Sequence, residues 1–251
     1  MNHYKEVPVS EKYIRKRTLL GIFFFVLFIS GSVYAWNMLQ DQPKDQGALK
    51  PLRKGLDMNE WIFANFFSND HLSREYSLAL AAPRVRVNGD AGLADAADTA
   101  NWKLHLVRMP GDTLLISLDE IRSLPKTEII FDFKCIEGWS QVTRWAGVRF
   151  SDFVKQYGLS KQSIMNYAAL VTPDGKYYVG IDMASMMHPQ TLLCYEMNGK
   201  ALPLNQGYPL RLIIPVKYGV KHLKRIGTLA FDQERPKDYW YEQGYDYYCG
   251  L

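Results

Sequence analysis

The chain has 251 residues, 47% hydrophobic and 22% charged, which excludes a disordered polypeptide and allows a sizeable core. Three cysteines are too few for a disulfide scaffold. The formal net charge of +4 suggests an anionic partner, but residues 1–17 carry most of it: Lys5, Lys12, Arg15, Lys16 and Arg17 stand against only Glu6 and Glu11. The rest is nearly neutral, and nucleic-acid binding, which wants a basic face on the folded domain, is excluded.

That basic tail, residues 1–17, precedes a charge-free run from Thr18 to Gln40 with the core Leu19–Ile29. About 20 apolar residues span a bilayer's hydrocarbon layer. Tyr34 and Trp36 lie near the far end, where amphipathic rings favour the interface, and the basic side stays cytoplasmic. Residues 18–40 therefore predict an inner-membrane, single-pass anchor with the catalytic part on the periplasmic side. The competing reading is a cleaved signal. Val33-Tyr34-Ala35 offers small residues to a peptidase, and Lys16-Arg17-Thr18-Leu19-Leu20 resembles a weakened twin-arginine signal.

Residues 41–55, polar with two prolines and two glycines, read as a linker. Residues 56–68 space Leu56, Trp61, Ile62, Phe63, Phe66 and Phe67 as an amphipathic helix, packed on the domain or resting on a membrane surface. Linker and helix together occupy 41–79. Strands are expected at 85–87, 104–107, 113–117, 129–133, 167–171, 177–181, 191–197 and 210–214, with helices at 118–124 and 150–157. Asn198-Gly199 signals a tight turn. Residues 80–251 read as one α+β domain with mixed, largely antiparallel sheets.

Two segments carry chemistry. Cys135 follows the apolar strand 129–133 and opens the loop Cys135-Ile136-Glu137-Gly138-Trp139-Ser140; Trp145 and Gly147 come next. A lone cysteine is usually a small buried hydrophobe. Downstream, Arg211, Lys217, Lys221, Lys224 and Arg225 place five cations in fifteen residues after an apolar strand, with Gly219 among them. Such a loop suits an anion, through arginine's planar fork and exposed backbone N–H groups; a solvated basic loop is the plainer reading. Cys194 reads as a buried strand thiol, Cys249 as a free thiol, and Met183, Met186 and Met187 as core filler. The aromatic tail Tyr239–Tyr248 is expected to pack across the domain.

Taken with Met187-His188-Pro189-x-Thr191-Leu192, Asn198-Gly199-Lys200-Ala201-Leu202-Pro203 and Pro209-Leu210-Arg211-Leu212-x-x-Pro215-x-Lys217-Tyr218-Gly219-x-Lys221, these segments resemble the oxidoreductase molybdopterin-binding family, the sulfite-oxidase fold group. The likeness is greater to its bacterial branch, which includes protein-methionine-sulfoxide reductase catalytic subunits, and covers roughly residues 80–251. It implies a molybdenum–molybdopterin cofactor with Cys135 as the thiolate ligand; soft thiolates suit such a metal. It places Thr172, Gln206, Arg211 and the stretch His222, Leu223, Lys224 at the pterin and its phosphate. The family usually has Asn where Gln206 stands. Close relatives also use an Asn and an aromatic–acidic pair in an N-terminal loop, for which the sequence offers no assignment. His188 matches the pattern and reads as structural.

The resemblance implies two-electron oxygen-atom transfer, as reduction of an S-oxide or related oxide on a small molecule or protein. The alternatives are a sulfite-type dehydrogenase, for which Arg84, Arg86, Arg108, Arg144 and Arg149 are available cations, and a non-catalytic partner-binding subunit. There is no Cys-x-x-Cys-His haem motif, no set of cysteines for an iron–sulfur cluster and no nucleotide-binding glycine fingerprint, so the expected redox partner is a cytochrome. The chain ends shortly after the cofactor segment, which suggests a monomer or heteromer.

Overall fold

The computed structural model describes residues 9–93, 99 and 101–251; Lys5 and Glu6 of the basic tail lie outside them. Helix α1 (Glu11–Gln40) starts where the Ser10 hydroxyl accepts the Tyr13 N–H, a side-chain N-cap, and none of its residues is buried. Its 30 residues make it long and apolar enough to cross a membrane. The hairpin of β1 (Lys44–Asp45) and β2 (Ala48–Leu49) leads into α2 (Lys50–Phe66), with Pro51 in the first turn, where its missing N–H costs nothing.

The expected linker is therefore structured. It folds back in the hairpin, and α2 begins six residues earlier than the apolar spacing indicated. The apolar pattern missed this first turn because its contact with the domain is polar. Arg53 is 1% exposed and donates to the carbonyl oxygens of Gln46 (2.5 Å), Tyr241 (2.8 Å) and Tyr245 (2.8 Å), with its guanidinium 4.0 Å from the Tyr241 ring centre.

The domain follows as β3 (Lys103–Met109), β4 (Asp112–Ser117), α3 (Leu118–Arg122), β5 (Lys126–Lys134), β6 (Ser140–Arg149), α4 (Phe150–Gln156), β7 (Tyr167–Val171), β8 (Tyr178–Asp182), α5 (Met183–Met186), β9 (Leu192–Met197), β10 (Lys200–Ala201), β11 (Arg211–Ile213), β12 (Thr228–Asp232) and α6 (Tyr239–Glu242). One sheet has the order β10-β9-β6-β5, with β11 also paired to β9; the other runs β4-β3-β12-β7-β8. The β12–β3 pair is parallel and the remaining pairs are antiparallel. The α+β architecture is the expected one.

The expected strand at 85–87 is instead an extended loop, because no strand pairs with it: the Arg86 N–H goes to the Gln141 side chain at 2.9 Å. Two strands escape the sequence pattern. In β6, polar side chains interrupt any apolar run, and β12 is short and follows the basic stretch.

The main core gathers Leu104 and Leu106 of β3, Leu170 of β7, Leu229 of β12, Val148 of β6, Leu212 of β11 and the α4 rings Phe150 and Phe153. A second cluster joins Ile129, Phe131, Trp145, Leu192, Cys194 and Ile213 on the other face of the first sheet. Side chains alternate between strand faces with a period of two. On β11 that alternation buries Leu212 in the main core and leaves Arg211 and Ile213 on the opposite face. On β5 it aligns Ile129, Phe131 and Phe133 on that face too. The β6–β9 contact there is close: a Cβ on Gly147 would lie 2.1 Å from the Leu193 carbonyl oxygen, so only glycine fits.

Candidate cofactor cleft

The second face of the first sheet opens into a cleft of about 960 Å³, counting its mouth. The period of β5 carries its facing side past Phe133 to Cys135, the first residue beyond the strand. There the chain turns: the Gly138 N–H donates to the Cys135 carbonyl and the Cys135 N–H to the Trp139 carbonyl. Gly138 takes φ +87°, a left-handed conformation that glycine adopts without strain. Cys135 is buried at the lining, with Phe133 and Trp139 beside it and Gln141, Thr143 and Trp145 on the neighbouring strand β6.

The loop from Val85 to Ala91 forms one wall and supplies the N-terminal part that sequence reading left unassigned. The Asn88 side-chain amide donates to the Cys135 sulfur at 3.7 Å. Hydrogen bonds from Asn88, and next from the Trp139 indole (3.2 Å), hold the Glu137 carboxyl below its ordinary range. Asn88 thus ties the thiol to an ionised acid. Its signal was available in Asn88-Gly89, a turn dipeptide at a loop tip; read as the end of a strand, it drew attention away from the cleft.

Arg211 is buried. One guanidinium nitrogen donates to the Gln206 backbone and side-chain oxygens (3.1 and 2.9 Å), and the other to the His222 carbonyl (3.4 Å). The guanidinium lies 4.5 Å from the Trp145 ring centre. Its Nε is buried and finds no partner among the described residues. Gln206 donates in turn to the Arg86 carbonyl at 3.2 Å, fixing the wall loop.

Lys224 reaches across to the carbonyls of Asn88 (2.7 Å) and Gly89 (2.8 Å). Burial, and then the Arg211 charge, push its ammonium down to about 8. His222 is pushed down to about 3, first by burial and then by Arg211, so its imidazole is neutral at pH 7. Its Nδ1 accepts from the Ile214 N–H (3.5 Å) and its Nε2 donates to the Lys217 carbonyl (3.1 Å), leaving the ring edge-on to Phe133.

Five of the seven expected site residues, Cys135, Gln206, Arg211, His222 and Lys224, line one cleft. Thr172 and Leu223 are not in its lining. The Thr172 hydroxyl donates to Asp174 (2.6 Å) within its own turn, and the Leu223 side chain is part of the main core. The expected five-cation anion loop is reduced to two cleft cations. Lys217 pairs with Asp182 at 2.6 Å and Lys221 with Asp238 at 2.5 Å, both buried, while Arg225 donates to the Tyr208 carbonyl at 3.0 Å. Tyr177, Trp240 and Tyr245 complete the wall, so part of the aromatic tail faces the cleft rather than only packing on the domain. His188, Cys194 and Cys249 are buried and all three thiols are free.

A two-sheet α+β domain with a thiol in its cleft and buried cations alongside is a sulfite-oxidase-type oxidoreductase domain. Residues 91–240 match the oxidoreductase molybdopterin binding domain, and the chain belongs to that family, whose cofactor is molybdenum–molybdopterin. Across 98% of its length it is 35% identical to a protein named as a candidate protein-methionine-sulfoxide reductase subunit, YedZ1, of Azospira oryzae, and it covers 90% of that protein. It is 36% identical over 59% of its length to the protein-methionine-sulfoxide reductase catalytic subunit MsrP of Campylobacter jejuni, spanning 54% of that relative. Identity to rat mitochondrial sulfite oxidase is 29% over 59% of this chain and 32% of that one.

The residues fit the cofactor. The orphaned Nε of Arg211 and the ammonium of Lys224 offer positive charge inside a cleft, which suits a phosphate. A thiol receiving an amide hydrogen bond suits a soft metal.

Proposed function

We propose that this protein is a membrane-anchored oxidoreductase that reduces an S-oxide at a molybdenum cofactor, on the periplasmic side and with electrons from a cytochrome-type partner. The observation that carries the reading is the convergence of Cys135, Asn88, Glu137, Arg211 and Lys224 on one cleft. When bound, the cofactor supplies two-electron redox chemistry coupled to oxygen-atom transfer.

The protein's part is to hold and orient. Cys135 presents its sulfur as a thiolate ligand, and the Asn88 N–H steadies that charge. Arg211 and Lys224 hold the anionic end of the pterin, with Gln206 keeping the guanidinium in place. Glu137, kept ionised by Asn88 and Trp139, accepts hydrogen bonds rather than giving a proton at neutral pH. Trp139, Tyr177, Trp240 and Tyr245 give the cleft aromatic walls, which suit the soft sulfur of a sulfoxide and its thioether product. The names of the Azospira and Campylobacter relatives point to the same substrate class.

The sulfite reading needs several cations facing the anion. Of the five arginines available to it, only Arg86 lines the cleft, with its guanidinium 4.6 Å from the Trp139 ring centre. Arg108 is paired with Asp112 (2.7 Å) and Arg144 with Glu128 (2.8 Å). This supports a neutral oxide as substrate. The test is turnover by the purified, molybdenum-loaded full chain. Methionine sulfoxide should be consumed with a reduced viologen dye as donor. Sulfite oxidation with a dye acceptor, and no sulfoxide reduction, would overturn the reading.

A further inference from the structure

In a water-exposed domain, a surface helix turns its apolar stripe to the core and its polar face to solvent. Helix α2 does the reverse. Its docked side carries charge: Arg53 is bound to the tail carbonyls, Asp57 and Glu60 both pair with Arg235, and Glu60 accepts from the Tyr167 hydroxyl. Phe63 is the main apolar contact on that side, stacked on Tyr248 at 5.0 Å. The open side carries Met58, Trp61, Ile62 and Phe66, with Trp61 68% and Phe66 76% exposed. Leu52, one turn and a half earlier, is exposed as well. These contacts pin the helix in this rotation, so the apolar side is held outward by the fold.

The chain also fixes where this side lies. The Lys50 N–H donates to the Pro43 carbonyl at 2.9 Å, so the start of α2 is bonded to a residue three positions past the end of α1. Three residues reach about 10 Å at most. The charge-free run in α1 is about 35 Å long at ~1.5 Å per residue, against a hydrocarbon layer of about 30 Å, which brings its end to the interface. The first turn of α2 therefore starts within about one helix diameter of the bilayer surface. Lys50 and Lys54 near that end suit anionic headgroups.

We infer that α2 lies in the bilayer interface, its Met58–Trp61–Ile62–Phe66 side sunk among the lipid headgroups and its Arg53–Asp57–Glu60 side carrying the catalytic domain. The occupant of the apolar side is the lipid surface itself. The inference rests on the membrane anchoring proposed above. It makes α2 a second, peripheral contact that holds the domain at a set tilt to the membrane.

The test places spin labels on the cofactor-loaded full chain in nanodiscs of phosphatidylcholine and phosphatidylglycerol. Met58→Cys and Phe66→Cys report on α2, Phe25→Cys on the middle of α1, and Ile164→Cys, 79% exposed, on bulk water. All four positions are exposed, and the native thiols at 135, 194 and 249 are buried, so labelling is confined to the introduced cysteines. Molybdenum content and a thermal melt confirm that each variant is folded. The ratio of oxygen to water-soluble nickel-chelate accessibility at 58 and 66 should be several-fold above that at 164 and below that at 25. Labels at 58 and 66 that match 164 while 25 reads bilayer depth would overturn the inference, leave the anchor standing and assign the face to a protein partner. A label at 25 that also matches 164 would remove the anchor, and the inference with it.

Discussion

The cleft is decided by a few residues whose neighbours are as informative as they are. Cys135 is distinguished from the other two cysteines by environment. Burial pushes the Cys194 and Cys249 thiols up to about 12, keeping both protonated, whereas Cys135 sits at a cleft with an amide aimed at its sulfur. Cys135→Ser should leave the fold intact and abolish turnover; full molybdenum-dependent activity in that variant would refute the ligand assignment.

His222 yields a prediction in pH. Its folded value, about 3, lies below the ordinary 6.5. The unfolded chain therefore takes up a proton between pH 6.5 and about 3 that the folded chain refuses, and stability, complete above 6.5, falls as the pH drops through that window. The slope is at most about 1.4 kcal/mol per pH unit for one group. Denaturant titrations from pH 6.5 to 4.5 should show it, and His222→Gln should flatten it. His188, also lowered by burial, contributes with the same sign.

At the scale of elements, the strands that carry apolar runs were legible and the strand that carries the cleft was not. β5 shows Ile129-Ile130-Phe131 outright, and the residue two beyond Phe133 is the cysteine, so Cys135 could be placed from period alone. β6 gives one face to the cleft, as Gln141, Thr143 and Trp145, and the Arg144 side chain to Glu128, so no hydrophobic period survives. Arg211 was legible because a charged residue interrupts an apolar strand. Asn88 was not, since its role depends on a loop brought to Cys135 across 47 residues. The five-cation loop misled for a related reason: the acids that neutralise Lys217 and Lys221 lie on β8 and before α6, far away in sequence.

Arg53 belongs to this scale too. Three of its bonds hold backbone carbonyls that have no alternative donor once buried. Arg53→Met should destabilise the domain by on the order of 3 kcal/mol, since each buried carbonyl left unpaired costs ~1–3 kcal/mol. Limited proteolysis should then cut near residues 239–245, where the wild type resists.

For the molecule as a whole, the sequence showed the division into apolar helix and catalytic domain. It misjudged what lies between them, because a polar, glycine-containing stretch resembles a linker even when one buried arginine organises it. If α1 is retained as an anchor, the full chain should stay with membranes through alkaline carbonate washing. Release of a chain beginning near residue 36 would instead identify a cleaved signal.

The contacts that seat α2 have a consequence for assembly. Arg53 meets Tyr241 and Tyr245 across 188 and 192 residues, and Arg235 meets Asp57 and Glu60 across 178 and 175. A helix made among the first stretches of the chain thus waits for almost the last before it can dock, and closing so long a loop is entropically slow. The same tail supplies Trp240 and Tyr245 to the cleft wall. The wall is therefore finished only when synthesis is, and a chain ending even a dozen residues early would lose its entrance helix and its cleft together.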